Sequence, residues 1–153
     1  MSVSSGVYPV YENQFTIDTS GRAGTTSSKK PIADLETFEV TFDNNVEEWS
    51  PMTEQGWKRR LMTGKGVSVK LSGKRNLGDD GNDYVAGLAL KSGQDTCSVL
   101  DWTFPNGDKL TMPCVVSVTA CGTGKSTDVG PLEFECMSDG KPTYTPHTTG
   151  SGG

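Results

Sequence analysis

SVLDWTFPNGDKLTMPCVVSVTAC, residues 98–121, is the stretch that decides the fold. Leu100, Trp102 and Phe104 alternate with Val99, Asp101 and Thr103, the period of two that sends successive side chains to opposite faces of a strand. Asn106-Gly107 follows Pro105 and is the strongest hairpin signal in the chain, because Asn and Gly accept the positive φ of a tight turn. The return arm runs from Lys109 to about Cys121, with Met112, Cys114, Val116 and Val118 on one side. Two strands joined by so short a turn must be antiparallel.

The same alternation recurs on either side. In TFEVTF, residues 37–42, Phe38, Val40 and Phe42 alternate with Thr37, Glu39 and Thr41. A polar connection, DNNVEEWSPMTEQG, follows over 43–56. WKRRLMT and VSVKLSG then read as two strand arms around a hairpin turn at Gly64-Lys65-Gly66. Past the turn-rich NLGDDG the period changes, and NDYVAGLALKSG, residues 82–93, predicts the one helix. Asn82 or Asp83 would cap it, Tyr84, Val85, Leu88 and Ala89 form its stripe, and Gly93 ends it, although Gly87 weakens it. PLEFECM, residues 131–137, is a last strand with Leu132, Phe134 and Cys136 inward and Glu133 and Glu135 outward. The expectation is a mainly β chain, an antiparallel β-sandwich or barrel of about six to seven strands with one flanking α-helix.

At 153 residues the chain is long enough for one domain. Residues 1–34, rich in Ser, Thr and Gly, read as a flexible arm with a short strand at Gln14–Asp18. The body spans 35–138. Residues 139–153 read as a polar tail ending in GSGG, a sequence typical of an added linker. No basic region and apolar run open the chain, and no stretch nears the roughly 18 apolar residues of a membrane helix. The expectation is synthesis and folding in a cytosol, with no membrane partner.

The net charge of −5 disfavours a nucleic-acid grip, which needs clustered Lys and Arg. Cys97, Cys114, Cys121 and Cys136 include no C-x-x-C pair, and the one histidine, His147, lies in the polar tail. These cysteines therefore read as free, small hydrophobes of strands, not as zinc ligands or disulfides. TACGTGKST, residues 119–127, ends like a phosphate-binding loop, but Thr119 replaces the first Gly and Gly130-Pro131 blocks the helix that must follow. GDDGND, residues 78–83, lacks the ligand spacing and distal Glu of a calcium loop. With His147 in a Gly/Thr/Pro-rich tail, nothing would hold a Ser-His or Cys-His pair, so no enzyme, cofactor or metal is expected. Half of the 14 basic residues lie between Lys58 and Arg75. Strand alternation splits Lys58 and Arg60 from Arg59, which argues against a nucleic-acid stripe and leaves two readings: solvation on both faces, or charge pairs with acidic residues of a neighbouring subunit, which would suit this acidic chain.

Residues 42–90, FDNNVEEWSPMTEQGWKRRLMTGKGVSVKLSGKRNLGDDGNDYVAGLAL, resemble the major tail tube proteins of long-tailed bacteriophages. LDWTFPNGDKL, VVSVT and GPLEFECMSDGKPT match in the same order, so the resemblance covers roughly 35–143. It implies a structural virion protein, assembled in the bacterial host cytoplasm as hexameric rings that stack into a tube for DNA ejection. It also implies partners: further copies of itself, a tape-measure protein, a tail terminator and tail-tip proteins, with viral DNA passing through without specific binding. By position, Glu47, Glu48 and Trp49 become candidate ring-stacking residues, and Glu39, Glu133 and Glu135 candidate lumen-facing acids. Lys58, Arg59 and Arg60 remain candidate inter-subunit charge pairs. The expectation is a tube domain without the added immunoglobulin-like domain that some members of that family carry. Two other readings stay open: the inner tube of a contractile tail or tail-like bacteriocin, and a monomeric β-sandwich binding module.

Overall fold

The computed structural model describes residues 5–22 and 29–146. His147, the GSGG end and the middle of the Ser/Thr/Gly-rich stretch lie outside the described residues. Eight strands and one α-helix form in the order β1 (Gln14–Asp18), β2 (Lys29–Pro31), β3 (Leu35–Trp49), β4 (Arg59–Lys74), α1 (Asp80–Gly87), β5 (Cys97–Thr103), β6 (Lys109–Cys121), β7 (Pro131–Ser138) and β8 (Thr143–Thr145). All belong to one antiparallel sheet of order β2-β1-β5-β6-β7-β4-β3. β8 pairs with the first residues of β6, beyond the point where β7 leaves it.

The two ends of that order are β2 and β3, yet only residues 32–34 separate them in sequence. A flat sheet would hold its ends about 29 Å apart, whereas four Cα steps reach at most about 15 Å. The sheet therefore curls until its ends meet. The joining segment is bonded to the strand next to each end: Ile32 N–H donates to Phe15 O of β1 (3.4 Å), and Lys74 N–H of β4 donates to Asp34 O (2.8 Å). Gly73 is required at this corner, since a Cβ there would lie 2.1 Å from Asp34 O.

Curling encloses one core, with Phe134, Ile17, Leu71, Leu100, Met112 and Leu132 its largest fully buried side chains. Burial of each stabilises the fold by about 1.5–3 kcal/mol. Phe15, Phe38 and Trp102 meet across the curl, Phe15 edge-on to Phe38 with centroids 4.9 Å apart. The four cysteines are free; Cys114 and Cys136 are fully buried in the core and Cys97 and Cys121 half-buried. A hydrogen bond with Cys114, and then burial, push the Cys136 thiol well above its ordinary range.

Helix α1 covers the curl through Val85 and Leu88, which join the core. It starts earlier than the sequence predicts, because Asp79 is the cap: its carboxylate accepts from Asn82 N–H (3.0 Å) and from Ala33 N–H (3.1 Å). That frees Asn82 for another task. Fully buried, it accepts at Oδ1 from Arg75 (2.8 Å) and Asn76 N–H (3.0 Å), and donates at Nδ2 to Ala33 O (3.2 Å) and Lys74 O (2.9 Å). One amide thus ties the end of β4, the joining segment and the helix together.

Several further expectations change. There is no turn at Gly64–Gly66: β4 runs through it, with Gly64 opposite Asn45 and Gly66 opposite Asp43. A Cβ on either glycine would come within 3.3 Å of the partner's Cβ, so the glycines relieve crowding between strands. The expected loop from Asp43 to Gly56 is strand as far as Trp49, and the true turn is 50–58, with a short 3₁₀ turn at Met52–Glu54. Among the described residues the strand count is eight, because two three-residue strands, β2 and β8, form in segments whose composition reads as arm and tail. The fold also starts before Leu35, since β1 lies between β2 and β5 and buries Phe15 and Ile17.

Candidate assembly surface

β3 and β4 are the longest strands, and only half of their length has anything beneath it. β4 pairs with β7 from Ser68 to Lys74 and then parts from it, while β3 forms the sheet edge throughout. From about Phe42 outward the pair continues as a two-stranded ribbon. Seven large apolar side chains on it are exposed: Phe42, Val46, Trp49, Met52, Trp57, Leu61 and Met62. Met52 is 99 % exposed and Trp57 77 %. Open strand edges beside exposed apolar side chains make a surface that another chain can complete.

Register assigns these side chains to two faces. Phe42 pairs with Val67, Val46 with Met62 and Glu48 with Arg60, continuing the face that is core-facing lower down. Glu47 pairs with Leu61 and Trp49 with Arg59 on the opposite face. Glu47, Glu48 and Trp49 therefore sit together at the far end of the ribbon, but Glu48 faces away from the other two. A bulge between Asn45 and Val46 strengthens the local twist.

The cations near the ribbon tip have partners within the same ribbon. Arg60 Nε donates to Glu48 Oε2 (2.9 Å) and Lys58 Nζ to Glu48 Oε1 (3.3 Å). The Arg60 bond, with the Lys58 bond second, holds the Glu48 carboxyl below its ordinary range. The Arg59 guanidinium lies 5.8 Å from the Trp49 ring centroid, a cation–π pair. Glu47 accepts from Asn45 Nδ2 (3.3 Å). All these groups are exposed, so the pairs shape the ribbon more than they stabilise the fold.

Glu39, Glu133 and Glu135 fall on one surface, the outer face of β3, β4 and β7. Lys70 stands opposite Glu39 on one side and Glu135 on the other, giving a row of two carboxylates flanking one ammonium. In the next row Glu133 stands opposite Ser72, which stands opposite Thr37. Thr41, Ser68 and Ser117 extend this small-residue polar face. The sequence gives its alternation but not the cross-strand neighbours, which depend on a non-consecutive pairing of β4 with β7.

The segments that imitate ligand sites are already occupied by the chain's own groups. Around Gly124-Lys125-Ser126 the Asp128 carboxylate accepts from Lys125 N–H (2.9 Å), where a phosphate oxygen would need that amide. In GDDGND, Asp79 caps α1, while Asp83 accepts from Gly78 N–H (3.0 Å) and pairs with Arg75 (2.8 Å). Among the described residues no three His, Cys, Asp or Glu side chains gather as a metal site would require. No helix among them is long and apolar enough to cross a membrane.

No protein-family model and no curated protein sequence matches the chain. Several solved structures share its fold, two of them from gene transfer agent particles. One is a chain from the tail of an empty gene transfer agent (GTA) particle with C6 symmetry, at TM-score 0.73 and 15% identity, covering 92% of this chain and 100% of that one. The other comes from the virion of a native gene transfer agent particle, at TM-score 0.68 and 12% identity, with the same coverage. At such identities the likeness establishes a common fold over nearly the whole described chain.

Proposed function

We infer that the chain is a structural subunit of a phage-like tail, assembling as hexameric rings that stack into a tube through which DNA is ejected. The ribbon carries this reading: seven exposed apolar side chains on a two-stranded extension have no core of their own to enter. The shared fold with a tail of C6 symmetry supplies the arrangement in which they would be covered. In such a ring the β3 edge pairs with a neighbour and stops being an edge. The polar outer face with Glu39, Glu133 and Glu135 lines the lumen, where carboxylates keep phosphates from adhering. Glu47, Glu48 and Trp49, at the ribbon's end, meet the next ring. Lys58, Arg59 and Arg60 exchange their partners for acidic groups of a neighbour.

This function asks for no catalysis, cofactor or metal. Its partners are other copies of the chain, a tape-measure protein, a terminator and tip proteins. Its place is the virion tail, assembled in the host cytoplasm. The tail type, contractile or not, would be set by a separate sheath protein.

Negative-stain electron microscopy and light scattering over a concentration series test the reading. Rings or hollow tubes of uniform width are the expected result. A monomer at every concentration would favour a binding module instead, and the aromatic row Trp102, Phe104 and Tyr144 would be the place to look.

A further inference from the structure

Where β4 parts from β7, a cleft of about 520 Å³ opens between the root of the ribbon and the segment that leads into β8. Its apolar lining comes from Phe42, Val67, Leu110 and Pro142, and Lys65 and Lys141 stand at its rim. Neither lysine has an ion-pair partner among the described residues. The size suits a few side chains of a peptide.

The same chain carries a segment of matching character. In GVYPVYEN, residues 6–13, Val7, Tyr8, Val10 and Tyr11 are exposed, Val7 completely. Pro9 has extended backbone (φ −75°, ψ 148°), and Glu12 has no ion-pair partner among the described residues. Within one subunit this segment lies elsewhere: Tyr8 borders Trp102 and Phe104, while Val10 and Tyr11 border Leu35 and Phe38. None of it lines the cleft.

We propose that the cleft at the root of the ribbon receives the N-terminal segment Val7–Glu12 of a second copy, with its Glu12 carboxylate between Lys65 and Lys141. The ribbon tip of a second copy is a poorer occupant. Its Glu48 is already held by Lys58 and Arg60, and its cations would approach the two rim lysines. The proposal rests on the assembly reading and names the contact by which one subunit engages the next.

The test places the photo-crosslinker benzoylphenylalanine at Tyr8 or Tyr11 in the full chain. Isotopically heavy and light copies are mixed at concentrations where scattering shows association. Heavy–light crosslinks to 65–67 or 138–142 are expected. Lys65→Glu together with Lys141→Glu should cut their yield roughly fivefold, within the reach of exposed charge pairs turned repulsive, and Glu12→Lys on that background should restore it. Crosslinks confined to one copy, or landing outside the cleft, overturn the proposal. Micrographs of the same samples separate the two failures: tubes with crosslinks elsewhere sink only this contact, whereas no tubes and intrachain crosslinks sink the assembly reading with it.

Discussion

The lower and upper halves of β3 and β4 are the same two strands in two environments. Below, Val69 and Leu71 are sealed against Phe134 and Leu132 of the core; above, Phe42 is 61 % and Leu61 60 % exposed. Backbone pairing between the strands continues across the boundary, so hydrogen bonding is not what distinguishes the halves. What changes is the presence of a second layer. A two-stranded ribbon in water is marginal by itself, and this one is held because its base is anchored in a seven-position sheet. The lower half carries the core contacts of the monomer, and the upper half carries exposed apolar surface that, on the assembly reading, another subunit covers.

The sharpest contrast should come from the core. Phe134→Ala removes a fully buried ring and should cost about 3–5 kcal/mol in urea unfolding, enough to threaten the fold. Asn82→Ala follows at about 3 kcal/mol, because it strands the carbonyls of Ala33 and Lys74 and leaves Arg75 one acceptor short. In the ribbon, the pair Val46→Ser and Met62→Ser should shift the monomer's unfolding by less than about 0.5 kcal/mol. The same pair should raise the concentration at which scattering reports assembly at least tenfold, about 1.4 kcal/mol per subunit contact. A large loss of monomer stability from it would erase the distinction between the halves.

The smallest effect belongs to Glu48. Its folded carboxyl titrates below its unfolded value, so the contribution is present above the unfolded range and fades as pH falls through the folded one. Glu48→Gln should therefore melt slightly lower than the parent at neutral pH. The gap should close on acidification below the ordinary carboxylate range, and also in high salt. A gap that persisted in acid would mean that Glu48 acts through packing.

The same contrast explains what the sequence could disclose. Where a strand has a core on one side and water on the other, the alternation is plain, as in Leu132–Cys136 or Phe38–Val40. The strands β1, β5, β6 and β7 were legible for that reason. Where both faces meet water the alternation has no cause, so DNNVEEW reads as a loop and Gly64-Lys65-Gly66 as its turn. β2 and β8 are too short to show a period, and only their neighbours make them strands. The helix was visible through Val85 and Leu88, but its true cap was not. Asp79, Asn82 and Asp83 are equally good caps in sequence, and only the nearby backbone of Ala33 and Lys74 assigns Asn82 to the core. Of the candidate site, the charge alternation of Glu39, Glu133 and Glu135 was legible. The engagement of Lys58 and Arg60 by Glu48 was not, since it depends on a turn at 50–58, earlier in the chain than the one the glycines suggest at 64–66.

The most direct test removes the upper half and keeps the lower. Residues 44–65 would be replaced by a two-residue Asn-Gly turn between the paired Asp43 and Gly66, and the shortened chain compared with the parent by urea unfolding and negative-stain microscopy. The expected result is an unfolding transition close to the parent's, with neither rings nor tubes at any concentration. Tubes from the shortened chain, or loss of its folded state, would contradict the division of one strand pair into a part that folds and a part that assembles.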